Sequence, residues 1–243
     1  MNSLLLAFTV NPSAHITAKV FGLTVNVDDL VSVAVAGLII VALGLVLRAK
    51  VTSGVPGKLQ LAFESIVGFV EDQVRPMGEG GRFVVPIAVT LFIFILIANW
   101  LEMFPTTYPG HHQLLPAPTG DINMPAALAI LVIVLVHITW VQKNGFKAYI
   151  RHYFKPYAAL FPINLVEEIA KPLTLALRLF GNIFAGSIML VLISFFPAQL
   201  VLPIPALDLV WKLFDGLFVG PVQAFIFSLL TILYFDAAVT GGH

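Results

Sequence analysis

The 243 residues carry 13 Lys and Arg against 13 Asp and Glu, so the chain is formally neutral, and they include no cysteine. Only 11% of residues are charged and 59% are hydrophobic, against about 25% charged in soluble domains. A water-soluble globular domain, disulfide or thiol chemistry and a nucleic-acid partner are excluded, and an integral membrane protein is left.

In lipid, backbone groups must be paired inside helices or a closed barrel. The apolar runs here are too long for barrel strands, so an all-α membrane protein is expected. The first apolar stretch, 4–10, has no basic residue before it and ends at Asn11-Pro12. It does not read as a signal peptide. Membrane helices are expected at 30–47, 83–104, 124–141, 164–196 and 206–236, about five in all. Between the first two, 58–74 alternates Leu59, Phe63, Ile66, Val67 and Val70 with Glu64, Glu71 and Asp72. That pattern predicts an amphipathic helix lying at the interface. No internal repeat is visible, and 1–243 reads as one membrane domain.

Basic residues set the orientation. Arg48, Lys50, Lys58, Arg75 and Arg82 fall in one inter-helix segment, and Lys143, Lys147, Arg151 and Lys155 in another. The segment 105–123 has no Lys or Arg. The positive-inside rule makes the basic segments cytoplasmic. The N-terminal segment 1–29 and loop 105–123 are then outside, and the C-terminus is inside.

The last two helices are too long for an upright crossing. The 33 residues of 164–196 reach about 50 Å as a helix, against a hydrocarbon core of about 30 Å. They must break, for example at Pro172, or lie aslant. The link 197–205, "PAQLVLPIP", holds three prolines and is the expected turn. An antiparallel hairpin centred on residue 201 places polar groups in three layers: Ser187 with Asp215, Arg178 with Gln223, and Glu167 and Glu168 with Tyr234 and Asp236. The layers lie about 13–15 Å apart. Carboxylates on both sides of a mid-membrane arginine resemble a proton path interrupted by a positive barrier. Thr174, Arg178 and Asn182 share one stripe, near Gly181, Ala185 and Gly186. Small residues admit close approach of another helix, so Arg178 is expected to face protein rather than lipid.

"KPLTLALRLFGNIFAG" (171–186), with "QAFIFSLLTILY" (223–234) and "PTGDIN" (118–123), resembles subunit a of the F-type ATP synthase in its bacterial form. The resemblance implies a membrane stator of a rotary motor in the bacterial plasma membrane. Its partners would be the c-ring, peripheral-stalk b-type subunits and the other ATP synthase subunits, with no cofactor and no metal. The hairpin 162–243 would face the c-ring, and 30–161 would form the peripheral helices. By position, Arg178 matches the essential arginine, Asn182 the asparagine one turn on, and Gln223 the glutamine that partners the arginine. Asp121 and Asn123 match the polar entrance of the outer half-channel. Many members have Glu or His where Ser187 stands, and Asp215 is expected to supply the missing titratable group.

Blander readings compete at each position. Asn182 and Gln223 also serve as interhelical glue. Lys212 is a rival partner for Asp215 at i+3. An i+4 pair of Glu167 with Lys171 would leave Glu168 as the inner-channel carboxylate. His137 is either a proton relay or a packed core histidine. His111 and His112 read as solvated loop residues. Asn99 lies near the outer channel. No nucleotide loop or nucleophile constellation is present, so ATP hydrolysis by this chain alone is not expected. A secondary transporter binding an anion at Arg178, or an assembly scaffold, are the rival functions.

Overall fold

The computed structural model describes residues 17–20, 23–52, 54–103, 118–154, 157, 161–194 and 204–240. The expected turn at 197–205 lies almost wholly outside them, as do most of loop 105–123 with His111 and His112, and most of 1–29. A short hairpin opens the description. Strands β1 (Thr17–Val20) and β2 (Leu23–Asn26) pair antiparallel, Thr17 with Asn26 and Val20 with Leu23. The sequence reading did not anticipate it. Every later element among the described residues is a helix.

Helix α1 (Val27–Lys50) has Asp28 and Asp29 in its first turn and Arg48 and Lys50 in its last. Both ends complement the helix dipole. Helix α2 (Lys58–Val74) spans the predicted amphipathic segment and buries Val70 and Val74. A 3₁₀ turn, Arg75–Gly81, leads to α3 (Val84–Glu102). Helix α4 (Asn123–Asn144) is followed by α5 (Phe146–Tyr153). Gly145 between them has φ of 85°, a conformation glycine alone adopts without strain. Helix α5 was not foreseen. Helix α6 (Phe161–Ser194) runs unbroken for 34 residues with Pro172 inside it. It is about 51 Å long. The last helical run comprises α7 (Ile204–Phe214), a π turn (Asp215–Val219) and α8 (Gly220–Thr240).

Among the described residues four helical runs are long and apolar enough to cross a membrane: Val27–Lys50, Val84–Leu101, Asn123–Asn144 and Leu209–Thr240. Helix α6 carries Glu167, Glu168 and Lys171 in its first half and Arg178 at its middle. The core is made where α3, α4, α6 and α8 meet. Val84, Ala88 and Ile95 of α3 pack with Leu128 and Val132 of α4, Leu175 and Leu179 of α6, and Phe227 and Phe235 of α8. Burying such side chains is worth about 1.5–3 kcal/mol each in water. Within lipid the same packing acts through close contact and hydrogen bonds. Ser228 Oγ, for instance, donates to the Ala88 carbonyl at 3.0 Å.

Two ends of the bundle can be told apart. At one, Asn26 before α1 reaches Asp121 before α4 at 2.9 Å. At the other, Asn144 at the end of α4 donates to the Ala238 carbonyl near the end of α8 at 3.1 Å. The 3₁₀ turn belongs to the second end, because Gly80 abuts the Lys143 ammonium. The basic segments and the C-terminal end of α8 therefore lie together, opposite Asp121.

Candidate functional site

Helix α6 joins the core through Leu175, Ala176, Leu179 and Ile183, all buried. That stripe fixes where the rest of the helix points. Arg178 falls on the exposed side with Thr174, and Asn182 is half-buried. A side chain added at Gly181 would meet open space. Among the described residues, Arg178 has no ion pair and no hydrogen bond. Gln223 lies on the other side of the contact, 6% exposed, and its Nε2 is buried without a partner. No hydrogen bond joins Arg178 to Gln223 among the described residues.

Beyond Arg178 towards the hairpin link, α6 meets the π turn. Gly186 lies against the Asp215 carboxylate, 3.5 Å from where its Cβ would stand. Trp211 Nε1 donates to the Gly186 carbonyl at 3.2 Å. The helices thus meet within one residue of the expected register. Ser187 belongs to α6, but its side chain lies outside the described residues. No ion pair between Lys212 and Asp215 occurs among the described residues, and Asp215 is half-buried. Asn99 is buried nearby. It accepts from Thr119 Oγ1 at 3.1 Å and donates to the Gly220 carbonyl at 3.2 Å. Trp100 Nε1 donates to the Gly216 carbonyl at 2.9 Å.

Towards the other end of α6 the charge is neutralised internally. Lys171 Nζ donates to Glu168 at 2.8 Å. This corrects the expected Glu167–Lys171 pair: Glu167 is exposed, whereas Glu168 faces α4. The other Glu168 oxygen lies 3.6 Å from His137 Nε2. His137 stacks edge-on against Tyr149 at 5.8 Å, and the Tyr149 and Tyr153 hydroxyls are 2.8 Å apart. These residues and Tyr234 line a cavity of about 60 Å³, room for a few waters. Burial, the Tyr149 hydroxyl and the negative charge of Glu168 push the Tyr153 phenol up, so it stays protonated and can donate. Asp236 does not line this cavity. It sits roughly 200° round α8 from Tyr234, so the inner layer pairs Glu168 with Tyr234 rather than with Asp236.

At the opposite end Asp121 forms a second polar cluster. Asn123 Nδ2 donates to both its oxygens at 2.9 Å, and the Asn123 backbone N–H to one at 3.2 Å. Asn26 Nδ2 bridges Asp121 and Asp29, at 2.9 and 3.0 Å. Burial alone would push the Asp121 carboxyl up. The hydrogen bonds from Asn123, Asp29 and Asn26 outweigh it and hold the carboxyl below its ordinary value. Asp28, also buried, accepts from the Asp29 N–H at 3.1 Å. Sequence reading found Asp121 and Asn123 but missed Asn26, Asp28 and Asp29. Their only local signal is a polar run opening an otherwise apolar helix.

Among the described residues no group of three His, Cys, Asp or Glu side chains is arranged to hold a metal ion. The arrangement instead sets carboxylates at two levels along one pair of helices, Glu168 on α6 and Asp215 on the π turn, with the Arg178 cation between them.

The profile of the family described as ATP synthase A chain matches residues 30–236. The ATP synthase subunit a of Acidothermus cellulolyticus is 52% identical over 241 residues, covering 98% of this chain and 86% of that one. Its counterpart in Mycobacterium bovis is 47% identical over 248 residues, covering 98% and 97%. That of Priestia megaterium is 36% identical over 235 residues, covering 93% and 98%. With its polar hairpin and apolar helices, the chain belongs to the ATP synthase A chain family.

Proposed function

We propose that this chain is the proton-translocating stator subunit of a rotary ATP synthase, a channel subunit that is not catalytic by itself. Its partners are the other subunits of that complex. Family membership overturns the rival reading of a self-contained secondary transporter with Arg178 binding an anionic substrate.

The observation that carries the mechanism is the placement of Arg178. The cation stands midway along α6, exposed and without an ion pair or hydrogen bond among the described residues, while carboxylates lie on α6 and the π turn at either side of it. A charge left unpaired in an apolar environment is costly, so its counter-charge belongs to another chain. A c-ring carboxylate passing the open face around Gly181 supplies it. Arginine holds its proton even when buried. It therefore favours the ionised form of the passing carboxylate, which must release its proton before arrival. It also repels protons and separates two half-channels. Moving one charge through the membrane potential yields about 2.3 kcal/mol per 100 mV, and a leak would dissipate that without rotation.

The outer half-channel enters at Asp121 and Asn123 and runs to Asp215 beside Ser187. The inner one leaves by Glu168 and His137, beside Tyr149, Tyr153 and Tyr234. Asn182 and the buried Gln223 hold the arginine's surroundings once the ring is docked. In this reading 162–243 is the ring-facing unit of one membrane domain, and b-type stalk subunits pack on the peripheral helices. The end with Asp121 and the N-terminus faces outward. The end with the basic segments and the C-terminus faces the cytoplasm.

The test is Arg178→Ala in inverted membrane vesicles holding the assembled complex. ATP-driven proton pumping is expected to vanish while assembly persists. Pumping at the normal rate would make Arg178 a structural charge and sink the mechanism.

A further inference from the structure

The π turn in the last helix has a cause and a consequence. The sequence there is "DGLFVGP", 215–221. Pro221 has no N–H, so the Leu217 carbonyl four residues back loses its α-helical donor, and the proline ring crowds it. The chain responds with an i to i+5 bond, in which the Gly220 N–H reaches the Asp215 carbonyl. Such a turn accommodates one extra residue and is frequent at functional sites.

That extra residue sets a phase. Asp215 and Gln223 are eight positions apart. In a regular α-helix they would differ by about 800°, leaving them roughly 80° out of line. With one residue absorbed, the separation is about 700°, within roughly 20° of two full turns. The π turn therefore brings Asp215 onto the line of Gln223, where it meets Gly186 of α6.

Helix α3 holds the turn. Trp100 Nε1 donates to the Gly216 carbonyl and Asn99 Nδ2 to the Gly220 carbonyl, at the two ends of the widened segment. Thr119 fixes the Asn99 amide by donating to its oxygen. Both contacted residues are glycines where α3 comes closest. A Cβ on Gly216 would run into Met103, and one on Gly220 would come within 3.2 Å of Asn99.

We propose that Asn99, with Trp100, is a positioning residue: it clamps the π turn open and so keeps Asp215 aligned with Gln223 and turned towards α6. The proposal rests on Asp215 carrying protons in the outer half-channel.

The chain has no cysteine, so G186C with D215C gives a clean disulfide probe of the alignment in the assembled complex. Adding Asn99→Leu is expected to lower the cross-link yield at least about fivefold, the effect of losing one hydrogen bond. Trp100→Phe, which removes only the indole donor, should act in the same direction if Asn99→Leu does not assemble. In the otherwise unmodified chain, Asn99→Leu should lower ATP-driven pumping. Deleting Val219 in a Pro221→Ala background should restore it, because a straight α-helix one residue shorter, with every interior N–H in place, has the same phase without a clamp. Mere packing by Asn99 would not be rescued that way. Unchanged cross-linking in Asn99→Leu and Trp100→Phe, or no rescue by the deletion, overturns the proposal. Normal pumping in Asp215→Asn would instead remove the role of Asp215 and leave the cross-link result standing.

Discussion

Arg178 and Glu168 stand ten residues apart on one helix, about 15 Å along its axis, and the fold treats them in opposite ways. Glu168 is turned into the bundle, bonded to Lys171 at 2.8 Å and faced by His137. Arg178 is turned out, beside open space at Gly181, with no partner among the described residues. Helix periodicity explains how both arise. Leu175 and Leu179 fix the buried side of α6, and Arg178 lies off it. The difference separates two kinds of membrane charge. One is neutralised within the chain and contributes to its stability. The other, on the proposed mechanism, takes its counter-charge from another chain and serves function.

The largest effect should fall on the outward charge. Arg178→Ala should abolish pumping yet leave the dissociation temperature of the assembled complex nearly unchanged, because no internal bond is lost. Arg178→Lys should also fail to pump, since a desolvated lysine gives up its proton where arginine does not. Loss of assembly in both variants would break the contrast by making Arg178 a structural charge. Asp215→Asn comes next. On the proposed mechanism it removes a proton carrier, so it should cut pumping by about a hundredfold or more, the low end of what a positioned acid–base group supplies. Asp215→Glu should keep much of the rate.

Glu168→Gln sharpens the contrast from the other side. It leaves Lys171, 30% exposed, without its counter-charge, and should destabilise the complex by about 1–3 kcal/mol. Glu168→Gln with Lys171→Met removes both charges and should recover part of that loss. Detergent-melting midpoints of the complexes would measure both. Equal losses in the single and double variants would show that the ion pair is not what holds this end together.

Much of this was readable beforehand, because the signals are local. A run of apolar residues marks a span, and the pattern at 58–74 marked α2 to the residue. The prolines of 197–205 located the hairpin centre well enough to bring Asp215 to Gly186. What failed were choices between neighbours that only packing decides. Glu167 and Glu168 both lie within reach of Lys171, and the buried side of α6 selected Glu168. Helix α5 is eight residues long, too short for its period to stand out, and its charges speak in the sequence only to orientation. The π turn was passed over inside an apolar stretch, although Gly216, Gly220 and Pro221 within a few residues of each other are a helix-breaking combination. Asn26 and Asp121 are 95 positions apart, and no local pattern links them.

The smallest effect belongs to Asp121, which is held like Glu168 but by the N–H donors of Asn123 and Asn26 instead of a cation. Its carboxylate is held by Asn123, Asn26 and Asp29, and its pKa is lowered despite burial. A carboxyl depressed in the folded state stabilises that state above its unfolded pKa of 3.8. The contribution fades only as pH falls through the lower folded value. At neutral pH the wild-type Asp121 is therefore anionic and fully stabilising. Asp121→Asn should remove the acid-dependent part of stability below about pH 4 and slow pumping only modestly, because Asp29 remains beside it. Melting the complex from pH 3 to pH 7 would read this directly. A variant whose stability still declines over the same acid range would show that another carboxylate, not Asp121, anchors α1 to α4.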